Sequence, residues 1–492
     1  MPSHNPLLKK DSRILIVGSG VFGLSTALWL ARSGYTAVTV FDMQDTGAAG
    51  YDPGRGIDSA SADINKIIRF SYGPEIEYQR LATRAAEIWE EWNREWAEEE
   101  QGKGKEKLWN QCGFLRMGAT DQMPEFELET LRNMELEGIR DRQFRSDDEG
   151  DVQRATQEGW AHKLDPCRRQ EKFGVHKAVL DSTAGFVVAY KSCAWAQSLA
   201  RKAGVEFVLH PVQGKVVAVE SAAESSSSSE RPSVRTADGK VHEGDLVIVA
   251  GGGWTAGLLP EASGLIETTA GSVAMIHIPQ DRLDLWERFS PENFPVVSWG
   301  FYEGKDCYSF PRDENGVIKI GWRHTKFTNY RDVTGGSGDG DDNGNRKRIS
   351  VPKTAHVTEE KETRIPKVAL DAIKEYISVN LPELEKIGIS ATKLCWYTDS
   401  LDNSFVVDFV PGRPGVVICT GGSGHGFKFL PILGQEVVKI LEGKGEQTVY
   451  GKMWKWRGAA SGAVGKNGLE EGEEGPRVLD GLVMADERDW VF

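Results

Sequence analysis

Long apolar runs are missing from this 492-residue chain, and so are a cysteine framework and an excess of basic charge. No stretch approaches the ~20 apolar residues of a membrane-spanning helix, so no transmembrane segment is expected. The six cysteines, at 112, 167, 193, 307, 395 and 419, show neither paired C-x-x-C spacing nor the density of a disulfide scaffold. Reduced thiols and no structural zinc are expected. Basic residues number 59 against 73 acidic ones, a net charge of -14, which argues against nucleic acid or an anionic membrane as the main partner. The opening MPSHNPLLKKD has no signal-peptide core and the closing DERDWVF lacks an S-K-L type address, so the expected location is the cytoplasm. What is present is globular and enzyme-sized: 39% hydrophobic residues and 15 tryptophans can fill two or three domain cores.

Residues 12 to 42, SRILIVGSGVFGLSTALWLARSGYTAVTVFD, read as strand, glycine turn, helix and second strand. Ile14, Leu15, Ile16 and Val17 form the apolar run of a strand buried on both faces, and Gly18, Gly20 and Gly23 follow at G-x-G-x-x-G spacing. With Ser19, Val21 and Phe22 between them, these residues predict a pyrophosphate site at a helix N-terminus. The second strand, Val38 to Phe41, ends at Asp42, roughly the 20-residue distance at which a carboxylate meets a ribose hydroxyl. The acid favours an unphosphorylated ribose, hence FAD or NAD over NADP. The motif does not choose between those two.

Residues 220 to 233, 334 to 347 and 457 to 477 are polar and low in complexity, and are expected to be mobile loops. The terminal VLDGLVMADERDWVF is expected to pack back onto the body. Between the loops, Ala194 to Gly204 reads as a helix, and Val205 to Leu209 and Lys215 to Val219 read as strands. Asp245 to Ala250 reads as a buried strand emptying into Gly251. Late in the chain, Val416 to Cys419 feeds a glycine turn holding Gly424, His425, Gly426, Phe427 and Lys428. Such a turn can bring backbone amides, a histidine and a lysine against an electron-rich ring.

Four segments together resemble the covalent-flavin amine oxidase family of monomeric sarcosine oxidase, pipecolate and saccharopine oxidases and fructosyl amino acid oxidases. They are the fingerprint at 14 to 42, DINKIIRFSYG at 63 to 73, CYSFPRDENGVIKIGWRH at 307 to 324, and the block at 394 to 434. The resemblance implies FAD, bonded through Cys395 to the flavin 8α carbon, and Lys319 beside flavin N5 as the group that promotes reaction with oxygen. It further implies Arg69 and Lys428 as the pair holding a substrate carboxylate, with Lys66, Tyr308, Tyr397 and His425 in the site. His324 is implied as a site histidine, with the register there open by one residue. Lys66 matches the fructosyl branch rather than sarcosine oxidase, whereas His425 and Arg323 depart from the fructosyl branch.

The implied fold is α/β. A doubly wound, Rossmann-like FAD domain, discontinuous in sequence (1–90, 170–255 and 395–456), carries a sarcosine oxidase-like mixed-sheet α+β substrate domain (91–169 and 256–394), followed by a C-terminal extension at 457–492. CYSFP and GVIKIGW should be adjacent strands of the substrate sheet. The implied activity is oxidation at a CH–NH group of a secondary amino acid, with an imine and hydrogen peroxide as products. The alternatives are a fructosyl amino acid oxidase or a flavin amine dehydrogenase using another acceptor. The expected partners are a small amino acid or amine and oxygen, and the expected state is a monomer.

Overall fold

The computed structural model describes residues 8–45, 59–99, 107–221, 231–301, 303–333, 347–353, 362–457 and 475–492. The mobile-loop expectations fall mostly on 222–230, 334–346 and 458–474, which lie outside the described residues.

Two large sheets organise the chain. The first has six strands in the order Val406–Phe409, Val416–Thr420, Leu246–Val249, Arg13–Val17, Ala37–Asp42, Glu206–Leu209. All neighbours run parallel except the edge strand Val406–Phe409. Leu246–Val249 is buried at every position, as a parallel strand covered on both faces requires. This sheet gathers strands from the start, middle and end of the chain, which is the discontinuity expected of a doubly wound domain.

The second sheet has eight strands in the order Ala391–Ser400, Ile266–His277, Val317–Phe327, Cys307–Ser309, Val296–Trp299, Phe114–Met117, Ala178–Asp181, Gln143–Arg145. It is antiparallel apart from the pair Val296–Trp299 and Phe114–Met117, hence mixed. Cys307–Ser309 and Val317–Phe327 are adjacent, with Tyr308 opposite Gly321. The helix Lys367–Asn380 packs on the back of this sheet through Ala369, Leu370, Ile373, Tyr376 and Ile377.

Two strand pairings run across the expected domain limits. Ala178–Asp181, assigned to the cofactor segment 170–255, pairs with Phe114–Met117 in the eight-stranded sheet. The boundary at 395 falls inside Ala391–Ser400, which pairs along its whole length with Ile266–His277. A single extended strand cannot be divided between two sheets without a bulge or bend, and this one is continuous.

The terminal segment packs onto the eight-stranded sheet's side of the molecule. Leu479 and Ala485 are buried there, and Arg477 donates to Glu267 at 2.7 Å. The helix Ile76–Glu98 was not anticipated. It buries Tyr78, Leu81, Ala82, Ala85, Trp89, Trp92 and Trp96 along one face at helical spacing. No described helix is long and apolar enough to cross a membrane. All six cysteines are free and buried.

Candidate active site

The strand Arg13–Val17 runs through a short turn into the helix Val21–Arg32. A methyl group at Gly23 would sit 1.8 Å from the Gly18 carbonyl oxygen, so only glycine lets the helix pack this closely on the turn. No acidic side chain occupies the first helical turn, which leaves its partial positive charge for an anion, while the Val21 amide donates to the Ser61 hydroxyl at 3.1 Å. Asp42 ends the neighbouring strand, its carboxylate accepting from the Ser19 amide at 2.7 Å and the Gln44 amide at 2.9 Å.

A cavity of about 930 Å³ begins here, against Gly18, Gly20, Val21, Phe22, Asp42 and Gly251. It continues past Lys66, Cys395, Lys319, Tyr308 and Tyr397 to Arg69 and the turn carrying Gly424, His425, Gly426, Phe427 and Lys428. Sequence positions hundreds of residues apart therefore line one space. The glycine cradle, the uncharged helix start and the terminal acid fit a bound dinucleotide at one end. Ser19 and Gly23 do not line the cavity: Ser19 supplies its amide to Asp42, and Gly23 supplies close packing.

Midway along the cavity lies a buried charge cluster. Asp63 Oδ2 accepts from Lys66 Nζ at 2.6 Å and from Lys319 Nζ at 2.9 Å. Lys319 also donates to the Asn65 carbonyl at 2.5 Å and lies over the Phe310 ring at 4.5 Å. Cys395 Sγ is 3.4 Å from Lys66 Nζ and 3.9 Å from Asp63. Burial opposes the charge on Asp63, but Lys319, Lys66 and Lys393 outweigh it and hold the carboxyl well below its usual range. Burial lowers Lys319 to about 8 despite Asp63. For Lys66, Asp63 outweighs burial and raises the ammonium pKa. Tyr308 and Tyr397 stay protonated, their phenols pushed up by burial. Tyr308 lies flat across Gly321, where a methyl group would meet the ring at 2.2 Å.

Beyond the cluster sits a second set of cations. Lys428 Nζ donates to the Tyr72 hydroxyl at 2.9 Å and the His425 carbonyl at 3.0 Å, and Arg69 lies over the Tyr72 ring at 4.6 Å. His425 is kept neutral by burial and by Lys428. Its Nε2 is 2.9 Å from the Asn403 carbonyl, which can only accept, so Nε2 carries the proton. Nδ1 then accepts from the Tyr72 hydroxyl at 3.3 Å. Lys428, Tyr72, His425 and Asn403 thus form one chain of donors and acceptors. Trp89 holds the base of that turn by donating to the Lys428 carbonyl at 2.8 Å.

His324 does not line this cavity. Lys319, Gly321 and Arg323 share one face of their strand, and the alternation of a strand turns position 324 the other way. His324 is 52% exposed and pairs with Asp306 at 2.8 Å. Arg323 takes the cavity position instead, over the Tyr397 ring at 5.3 Å. Asp63, Tyr72 and Trp89 were also missed. Asp63 and Tyr72 lie inside the quoted DINKIIRFSYG segment, and the three-residue step from Asp63 to Lys66 was the available signal for the carboxylate.

Replacing Asp63 leaves two buried lysines without their carboxylate. Asp63→Asn is expected to cost about 3–5 kcal/mol of stability, the range for removing one partner of a buried ion pair. Chemical denaturation measures it, and a loss below about 1 kcal/mol would contradict a structural role for this cluster.

Comparison with known proteins agrees with this geometry. L-saccharopine oxidase of Schizosaccharomyces pombe is 26% identical over 456 residues, covering 90% of this chain and 93% of that protein. Monomeric sarcosine oxidase of Bacillus sp. is 24% identical over 438 residues, covering 89% and 94%. The solved structure of fructosyl peptide oxidase from E. terrenum superposes with a TM-score of 0.74 at 22% identity, covering 98% of this chain and 99% of that one, a likeness of fold. Residues 13–440 match the DAO family, described as FAD dependent oxidoreductase, so the chain belongs to the FAD-dependent oxidoreductases of that family.

Proposed function

We propose that this enzyme oxidises a secondary amino acid, N-alkylated or cyclic, at its C–N bond, using oxygen as the final acceptor and yielding an imine and hydrogen peroxide. The observation that supports this most is the pairing of Arg69 and Lys428 on Tyr72 inside the cofactor cavity. An arginine fork and a lysine point charge suit a carboxylate. The curated relatives named above act, by their names, on saccharopine and sarcosine. Bound FAD supplies the two-electron acceptor for the substrate hydride.

The chain's own residues account for the rest. Arg69 and Lys428 bind and orient the carboxylate. Their positive field, added to that of Arg323, disfavours an ammonium on the bound substrate and favours the neutral amine that oxidation requires. Lys428 itself is held well below its usual pKa, by burial first and then by Arg69 and Arg323. Tyr308 and Tyr397 present protonated phenols along the wall. A peroxide-coupled screen of N-methyl and cyclic amino acids against the corresponding amines and fructosyl glycine tests the assignment. Turnover of secondary amino acids is expected, and turnover confined to simple amines or to fructosyl glycine would overturn it.

Cys395 is the proposed link to the flavin, supported by its thiol standing 3.4 Å from Lys66 Nζ on the cavity wall. Flavin is expected to stay with acid-precipitated wild-type protein and to be released from Cys395→Ser. Free flavin from the wild type would contradict the link.

Lys319 is the proposed group that aids oxygen reduction, since a buried cation stabilises negative charge developing on oxygen. It is cationic below its value of about 8 and neutral above. Reoxidation of reduced enzyme by oxygen is therefore expected to be fastest below pH 8 and to slow above it. Lys319→Met should be slow throughout and lose that dependence. Stopped-flow reoxidation across pH measures both, and an unchanged profile in the variant would reject the role.

A further inference from the structure

Arg323 makes no ion pair of its own, although Tyr397 and buried Asp399, which is already bound to Lys326 and Thr269, favour its charge. Its strand neighbours are both matched: His324 pairs with Asp306 at 2.8 Å, and Lys326 pairs with Asp399 at 3.1 Å. Arg323 has the Gly424 carbonyl 3.4 Å from Nη1 and the face of Tyr397 at 5.3 Å, and its buried Nε has no hydrogen-bond partner. Among the described residues no carboxylate lies within ion-pair distance of it. The side chain lines the same cavity as Arg69 and Lys428.

Its position relative to the carboxylate pair follows from one short turn. Arg323 stands on the carbonyl of Gly424 and Lys428 on the carbonyl of His425, adjacent residues whose α-carbons are about 3.8 Å apart. A single α-carboxylate offers two oxygens and one negative charge, so Arg69 and Lys428 already match its oxygens in donor geometry and leave no negative charge over for a further cation. A third buried cation beside them repels both unless something negative accompanies the substrate. Lys428 registers that repulsion, since Arg323 is one of the groups that lower it.

We propose that Arg323 receives a second anionic group of the substrate, a few bonds from the α-carboxylate, so that the preferred substrate is an acidic secondary amino acid. This deepens the amine-oxidation reading and rests on it. Planar, bidentate carboxylate recognition also explains arginine here in preference to lysine.

The test compares N-methyl-L-glutamate with its neutral isostere N-methyl-L-glutamine on the holoenzyme. The wild type is expected to favour the acid in kcat/KM by about tenfold or more, as for a desolvated charge pair. Arg323→Gln should bring that ratio close to one, and Arg323→Lys should restore part of it. The ratio cancels any loss of folding or flavin that both substrates share. A wild-type preference for the amide, or an acid preference that survives in Arg323→Gln, would overturn the proposal.

If neither compound is oxidised, the amine-oxidation reading fails for this class, and ligand binding still decides on Arg323. Titration of the flavin absorbance with glutarate and with valerate should show tighter glutarate binding in the wild type and no difference in Arg323→Gln. Equal affinities in the wild type would overturn the second anion site.

Discussion

One carboxylate carrying two ammonium groups sits at the centre of this molecule. Asp63 lies just ahead of the strand Asn65–Ile68, Lys66 lies within that strand, and Lys319 reaches in from the eight-stranded sheet. Lys393 adds a hydrogen bond to the Ala62 carbonyl at 3.1 Å from the strand that bears Cys395. The cluster therefore ties the strand Asn65–Ile68, which pairs with Gly185–Val188, to the eight-stranded sheet midway along the cavity. Held in a low-dielectric interior, these bonds depend on the one carboxylate, because losing its charge leaves both ammonium groups buried and unmatched.

The same charge logic runs along the cavity. The chain as a whole carries a net charge of -14, yet its interior concentrates cations around the turn 424–428. A locally positive cavity in a chain of net negative charge is the field that the proposed anionic substrate would need. His425 takes part as a neutral spacer. With both ring nitrogens engaged, by Asn403 and by Tyr72, it orients the hydroxyl on which Lys428 rests.

Much of this was legible in the residues, for reasons that differ from one segment to another. The glycine fingerprint could be read because sterics leave no choice: a side chain at Gly23 would occupy the space of the Gly18 carbonyl. The pairing of Cys307–Ser309 with Val317–Phe327 was an expectation of the fold that the resemblance of CYSFPRDENGVIKIGWRH implied. The His324 register was not, although the period of two counted from Lys319 would have selected Arg323. Asp63 escaped notice because a carboxylate three residues from a lysine is common, and only the fold brings Lys319 onto it from 256 positions away. The strand Ala178–Asp181 was not read from the sequence at all, because a short apolar run does not reveal its partner, which tertiary pairing alone selects.

The central claim is that the cations at the turn recognise a carboxylate beside the flavin and hold the amine neutral for oxidation. Anaerobic stopped-flow reduction of the bound flavin tests this without involving oxygen. The measurement compares N-methyl-L-leucine with N-methylisoamylamine, the amine that lacks only its carboxyl group. Rapid flavin bleaching by the amino acid is expected, with reduction by the amine slower by about two orders of magnitude or more, the scale set by losing a buried charge pair. Equal reduction rates for the two would contradict the account.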